Sequence, residues 1–148
     1  MATILEAVGT YIDANSSLTV GTTLFGGLMP DAPDTAVCLY EYEGLGASYV
    51  MGSGGIIDMP RIMLFSRAAP GIASYAAARD QAQTLRALLD LTNTSLSGIT
   101  VLRLSPLGGV NALGVDEKQR HRGSVSFQSD IIRGPVSTAP TLSPTTIR

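Results

Sequence analysis

The residues of this chain that could carry out chemistry are few. His121 is the only histidine, and Asp116 and Glu117 lie close to it in sequence. A Ser-His-Asp site needs a histidine base beside an orienting carboxylate and a nucleophilic serine. No G-x-S-x-G motif occurs, and no serine is otherwise marked as a nucleophile. The sequence therefore predicts an exposed loop histidine and no hydrolytic site.

Metal and phosphate sites have little support in the sequence. One histidine and one cysteine cannot form a zinc site, and Cys38 lies in an apolar stretch typical of a buried, inert thiol. Asp31 and Asp34 are possible ligands of a hard cation, but the prolines beside them favour a turn. The glycine-rich segment 52–55 lacks the Lys-Ser/Thr pair of a phosphate loop and precedes a predicted strand. We predict no metal, no cofactor and no enzymatic activity.

Basic residues cluster near the end of the chain, at Lys118, Arg120, His121 and Arg122. No aromatic residue lies among them, so no base-stacking platform is visible. The net charge of −2 and a pI of about 5.2 also argue against a nucleic-acid binder. Two interpretations remain, a solvated loop or a contact with an acidic patch on a neighbouring subunit.

The composition indicates one domain with a partly covered surface. Its 148 residues suffice for a single core. Charged residues make up only 15%, below the usual ~25%. With sixteen glycines and a mean hydropathy of +0.24, this indicates that partners cover part of the surface. We predict one domain over residues 1–133 and a Pro/Ser/Thr-rich tail over 134–148. No apolar run is long enough to span a bilayer, and we expect no signal peptide.

Two helices are predicted from local patterns. Thr3 and Glu6 have the spacing of a capping box, and apolar residues then recur at helical spacing, so we expect a helix over about 3–14. Residues 72–91 form the strongest helical pattern. One face of that segment carries an apolar stripe of Tyr75, Ala78, Ala82, Leu85 and Leu89.

Five strands or extended segments complete the prediction, at 18–28, 37–43, 61–67, 99–104 and 123–132. The four consecutive apolar residues from Ile62 to Phe65 predict a strand buried on both faces. A glycine-rich, flexible loop is expected over 44–55, and a long loop or extended hairpin over 106–122. The element order is α-β-β-β-α-β-β. We therefore predict an α+β fold, a single mixed sheet of about five strands with two helices packed on one face.

Several of these segments together resemble a known family. Pro30-Asp31-Ala32-Pro33-Asp34 enters a strand ending at Gly44, and the next strand closes on Arg67. Tyr75 and Ala78 follow on a helix to Leu89, and Leu113-Gly114-Val115-Asp116-Glu117 precedes Arg120. In order and spacing, residues 3–132 resemble the tail-terminator and minor-capsid proteins of tailed bacteriophages. The tail 134–148 has no counterpart in that pattern, and the loop 44–55 is longer than expected.

The resemblance implies a structural protein of the virion. Such a protein forms a ring, expected to be a hexamer, that caps the tail tube. The ring then offers a docking surface to the head completion or connector protein, and DNA crosses its lumen without specific binding. Assembly takes place in the host cytoplasm, with no membrane involved. Six residues are candidates for subunit contacts: Arg67, Asp116, Glu117, Lys118, Arg120 and Arg122.

Three of the candidate contacts are chosen for their chemistry or their position in the predicted fold. The guanidinium forks of Arg120 and Arg122 suit the carboxylates of a neighbour. Arg67 begins the crossover that positions the second helix. Two alternatives stay open: another head-tail joining or tail-tube subunit, and a small ligand-binding module or enzyme.

Overall fold

Two helices and seven strands make up the part of the chain that the computed structural model describes, residues 3–49 and 56–133. In chain order they are α1 (Ile4–Asn15), β1 (Leu24–Gly26), β2 (Ala36–Tyr49), β3 (Ile56–Arg67), α2 (Ser74–Leu88), β4 (Leu91–Leu96), β5 (Ile99–Pro106), β6 (Asn111–Val115) and β7 (His121–Arg133). No helix within these ranges has the length and apolar character needed to cross a membrane.

Helix α1 begins with the capping box that the sequence predicts. The Thr3 hydroxyl accepts a hydrogen bond from the Glu6 N–H at 3.2 Å, and the Glu6 carboxylate accepts one from the Thr3 N–H at 2.8 Å. The two bonds satisfy backbone donors that the first turn of a helix leaves free. Ile4, Val8 and Ile12 are buried on one face, so the predicted helix over 3–14 is confirmed.

Helix α2 is shorter than predicted, because residues 72–73 and 89–91 lie outside it. Ala78, Ala82 and Leu85 are buried, as the apolar stripe predicts. Tyr75 differs from the rest of the stripe, since it is 50% exposed. It lies in the first turn, where its ring meets the edge of His121 rather than the core.

The strands form one mixed sheet in the order β1-β2-β3-β7-β5-β4, with β6 paired to β7. β1 and β2 are parallel, and the other pairs are antiparallel. The α+β class is confirmed, with seven strands instead of about five. The additional strands are β4 and β6. β4 is polar and so carries little strand signal, and it joins β5 through Ser97 and Gly98, both with positive φ.

Both helices pack on one face of the sheet. Val37, Ile62, Leu64 and Phe127 are fully buried against them in a single core. The prediction that the strand 61–67 is buried on both faces is wrong, because Met63 and Phe65 point the opposite way and are only half-buried. One face of the sheet therefore remains partly accessible along this strand.

The predicted loops are only partly loops. Residues 44–49 continue β2, with register shifts after Tyr42 and Leu45, so the loop predicted over 44–55 does not begin at Gly44. Residues 50–55 and the predicted tail 134–148 lie outside the described residues. In the segment 106–122 the extended hairpin is the correct alternative, since β6 pairs with the start of β7.

Candidate functional site

Three segments meet at one end of the sheet. The strand registers place the start of β2, the end of β3 and the start of β7 side by side, with Ala36 opposite Arg67 and Arg67 opposite Arg122. The loop 30–34 precedes β2, and the turn 116–120 precedes β7. Six charged residues from these segments form what we call the Asp–Arg cluster: Asp31, Asp34, Arg67, Asp116, Lys118 and Arg120.

Arg67 holds the loop 30–34 through its backbone oxygens. Its side chain is buried, and its Nε donates to the Asp34 oxygen at 2.9 Å. Its Nη2 donates to the oxygens of Pro33 at 2.6 Å and Pro30 at 2.8 Å. A tight loop leaves its carbonyl groups without backbone partners, and a guanidinium fork supplies several donors in one plane. The pKa of Arg67 is lowered from its ordinary value, mainly by burial and to a smaller extent by the positive charge of Arg120.

Arg120 binds the side chains of the same loop. Its guanidinium is 5% exposed. It donates to Asp31 Oδ1 at 3.0 Å, to Asp34 Oδ1 at 3.2 Å and to the Asp31 backbone oxygen at 2.6 Å. On its other side, Nε donates to Asp116 Oδ2 at 2.7 Å. Burial alone would lower the pKa of Arg120, but the hydrogen bonds to Asp31 and then to Asp116 raise it above its ordinary value.

Asp116 closes the turn that carries Arg120. One carboxylate oxygen accepts the backbone N–H groups of Lys118 at 2.9 Å and Arg120 at 3.0 Å. Burial acts to raise the pKa of Asp116, but its hydrogen bonds with Arg120 and Lys118 outweigh that effect, so the pKa is lowered. Lys118 reaches across to the Asp31 carboxylate. The hydrogen bonds from Lys118 and then Arg120 lower the pKa of Asp31 as well.

The Asp–Arg cluster has three carboxylates and three cationic groups, so it is internally neutral. Its chemistry is suited to clamping the loop 30–34 onto the start of β7 rather than to presenting an unpaired charge. In the described part of the chain, no group of three His, Cys, Asp or Glu residues has the arrangement of a metal site.

The structure brings most of the predicted contact residues together. Arg67, Asp116, Lys118 and Arg120 belong to the Asp–Arg cluster, where each has partners within the chain. Glu117 and Arg122 are exposed beside it, and both line an open depression of about 630 Å³. The carboxylates expected around Arg120 are thus those of its own chain. A role for the six residues between subunits stays a prediction.

His121 is not the exposed loop residue that the sequence predicts. It is the first residue of β7, half-buried, with its ring 5.8 Å from that of Tyr75 in an edge contact. Its Nδ1 is buried and has no hydrogen-bond partner among the described residues. Among residues 3–49 and 56–133, no carboxylate is hydrogen-bonded to the ring, as the orienting carboxylate of a catalytic histidine would be. Cys38 is fully buried, as predicted, and burial raises the pKa of its thiol.

Sequence reasoning missed two features of this site. Asp31 and Asp34 are ion-pair partners of Arg120, 89 and 86 residues away in the chain, and no local pattern indicates such a pairing. The other feature is a groove of about 480 Å³ between α1 and β1. Its walls include Leu5, Val20 and Phe25, which lie on segments that look unrelated in the sequence.

Comparison with known protein families gives independent evidence of the family to which the chain is related. A family model described as a bacteriophage tail terminator protein matches residues 11–131, which is more than half of the chain. The matched range contains the whole Asp–Arg cluster and most of the sheet. No curated protein sequence matches the chain.

Proposed function

We propose, because this chain belongs to the bacteriophage tail terminator protein family, that it ends the growth of the tail tube by capping it with a closed ring of its own copies. Members of this family are structural proteins, and membership makes the chain a component of the phage virion. The family match is the observation that carries the proposal. We further propose a position at the head-tail interface and a role without enzymatic activity.

A terminator ring needs two different ends. One end binds the last ring of the tail tube, and the other receives the head completion or connector protein. Subunits that contact each other through two different patches generate a ring when the rotation between them closes. We expect six copies and a lumen that DNA crosses without specific binding. The low charge content of the chain supports extensive burial between copies.

The Asp–Arg cluster supports this role as a stiffening element. A loop held at its backbone by Arg67 and at its side chains by Arg120 keeps one shape before and after assembly. Docking surfaces with fixed geometry lose less conformational entropy on binding. We therefore propose that the cluster presents the end of the sheet as a preformed contact surface.

Electron microscopy of a lysate that lacks this protein tests the proposal. Overlong tubes and DNA-filled heads without tails are expected, because tube termination and DNA packaging are separate events. Supplying the intact chain from a plasmid is the control and should restore normal virions. Tails of normal length attached to heads would overturn the proposal. Normal but unattached tails would reassign the chain to head-tail joining.

A further inference from the structure

The charges of this chain are divided along the sequence. Residues 1–60 contain seven of the twelve carboxylates and no lysine or arginine, which gives a charge of −7. Residues 61–148 contain all ten lysines and arginines and five carboxylates, which gives +5. Together the two halves account for the net charge of −2.

The fold places the two halves mainly toward opposite parts of the sheet, and they meet where β2 pairs with residues 61–67 of β3. The acidic half supplies α1, β1 and β2, and β1 lies at one edge of the sheet. The basic half supplies most of β3, together with α2 and the strands from β4 to β7. Between β1 and β6 the sheet runs through β2, β3 and β7, so the two lie four strand spacings apart, about 19 Å. The β1 side of the sheet is thus acidic and the β6 side mainly basic. The two halves adjoin along the pairing of β2 with β3, and the Asp–Arg cluster neutralises the loop 30–34 of the acidic half.

The acidic side contains an apolar groove. This is the groove of about 480 Å³ between α1 and β1, and its walls include Leu5, Val20 and Phe25. Val20 is 53% exposed although it is a large apolar residue. The Glu6 carboxylate lies in the same lining, and Glu41 follows Leu39, another lining residue, on the same side of β2.

The basic side presents an apolar ridge. All five residues of β6 are exposed, and none is charged. Leu113 and Val115 are each 40% exposed on this strand. Tyr75, Arg79 and Arg122 lie beside it around a shallow depression. Exposed strand edges in soluble proteins are usually protected by charge, proline or a covering element, and β6 contains neither charge nor proline.

We propose that the groove of one copy receives the β6 ridge of a second copy, with Arg79 and Arg122 facing the carboxylates of the acidic side. The two surfaces are complementary in charge, and both are apolar at the centre with charges at the rim. Because they are different surfaces of the same chain, the contact is head-to-tail and extends from copy to copy, which gives a ring when the rotation between copies closes. This inference rests on the proposed function and specifies the subunit contact that it requires.

Disulfide cross-linking tests the contact directly. Val20→Cys and Leu113→Cys in the same chain should give a ladder of cross-linked species under oxidation, ending at the closed ring. Each single-cysteine variant and the unaltered chain are controls and should give no ladder, since Cys38 is fully buried. The experiment uses the full chain, alone at rising concentration and bound to purified tail tubes. Absence of a ladder in a double variant that still caps tubes would overturn the contact.

Charge reversal provides a second, independent test. Glu41 and Arg79 are exposed, and neither side chain has a hydrogen bond or ion pair in the described part of the chain, so both changes should leave the fold intact. Glu41→Arg or Arg79→Glu alone should raise the concentration needed for assembly at least tenfold, whereas the double variant or an equal mixture of the two should restore it. Arg103→Glu on β5 is the matched control. No restoration, or an equal effect of the control, would count against the contact.

These outcomes separate the contact from the proposed function. If the double-cysteine variant forms the ladder but does not bind tubes, the head-to-tail contact is supported and the capping function is disproved. If the variant caps tubes without forming the ladder, the capping function is supported and this contact is disproved.

Discussion

Arg67 and Arg120 hold the same loop from two directions. The guanidinium of Arg67, at the end of β3, donates to backbone oxygens of the loop 30–34, whereas that of Arg120, just before β7, donates to its carboxylates. The loop is thereby tied to two neighbouring strands of the sheet. The conformation of this end of the molecule therefore depends on two side chains that are far apart in the sequence.

Removing the Arg67 guanidinium should destabilise the protein strongly. In Arg67→Met, the loop oxygens lose their donors while the apolar part of the side chain is kept, and we expect a loss of about 3 kcal/mol in the free energy of unfolding. Urea denaturation followed by circular dichroism measures this. Arg103→Met, an exposed arginine on β5, should change stability by less than about 0.5 kcal/mol. An equal, small effect of both changes would contradict the assigned role of Arg67.

The Asp–Arg cluster should make the protein sensitive to acid. The pKa of Asp31 is lower in the folded protein than its ordinary value of 3.8. Its contribution to stability is therefore fully present above that ordinary value and is lost as the pH falls through the lowered pKa. Thermal unfolding between pH 6 and pH 2 should show a smaller acid-induced fall in Tm for Asp31→Asn than for the unaltered chain.

Asp90→Asn is the control for this titration, because Asp90 is exposed and lies outside the cluster. It should keep the full acid-induced fall in Tm. If Asp31→Asn and Asp90→Asn show the same pH profile, the cluster does not contribute to the acid sensitivity.

The backbone amides of strand β6 should be protected from hydrogen exchange only after assembly. It is exposed along its whole length in the single chain, and among the strands that the structure describes its backbone pairs with β7 alone. Amides in exposed segments with little buried surface open readily, so we expect fast hydrogen exchange over 111–115 in the monomer. The exchange should slow in the presence of tail tubes, while that of β3 stays unchanged. Slow exchange in a verified monomer would contradict the expected covering by a neighbour.

Neither His121 nor Cys38 should be needed for the assembly of normal virions. His121→Ala loses the edge contact with Tyr75, and Cys38→Ala loses buried volume, so each should cost about 1 kcal/mol in stability. Complementation of a deletion phage, scored by virion yield and tail length, should remain near normal for both. A hydrolytic activity that disappears with His121→Ala would show that the chain is an enzyme.

The sequence by itself determined the parts of the fold that depend on short-range contacts. The capping box of Thr3 and Glu6 joins residues three positions apart, and the stripe from Ala78 to Leu85 repeats at helical spacing, so both helices were predictable. Strands with apolar residues were also found, as was the turn at 30–34. Polar β4 was missed, because its pairing with β5 provides the stability that its own residues do not indicate.

Only the tertiary structure decided the site. Arg67 meets the loop across 33 residues and Arg120 across more than 80, through the order of strands in the sheet. The same order places β1 of the acidic half and β6 of the basic half four strands apart in the sheet. The packing of both helices on one face leaves Met63 and Phe65 half-buried. Local hydrogen bonds and helical periodicity depend on residues that are close in the sequence, so they can be predicted from it. Strand order and long-range ion pairs depend instead on which distant segments bury their apolar surfaces together.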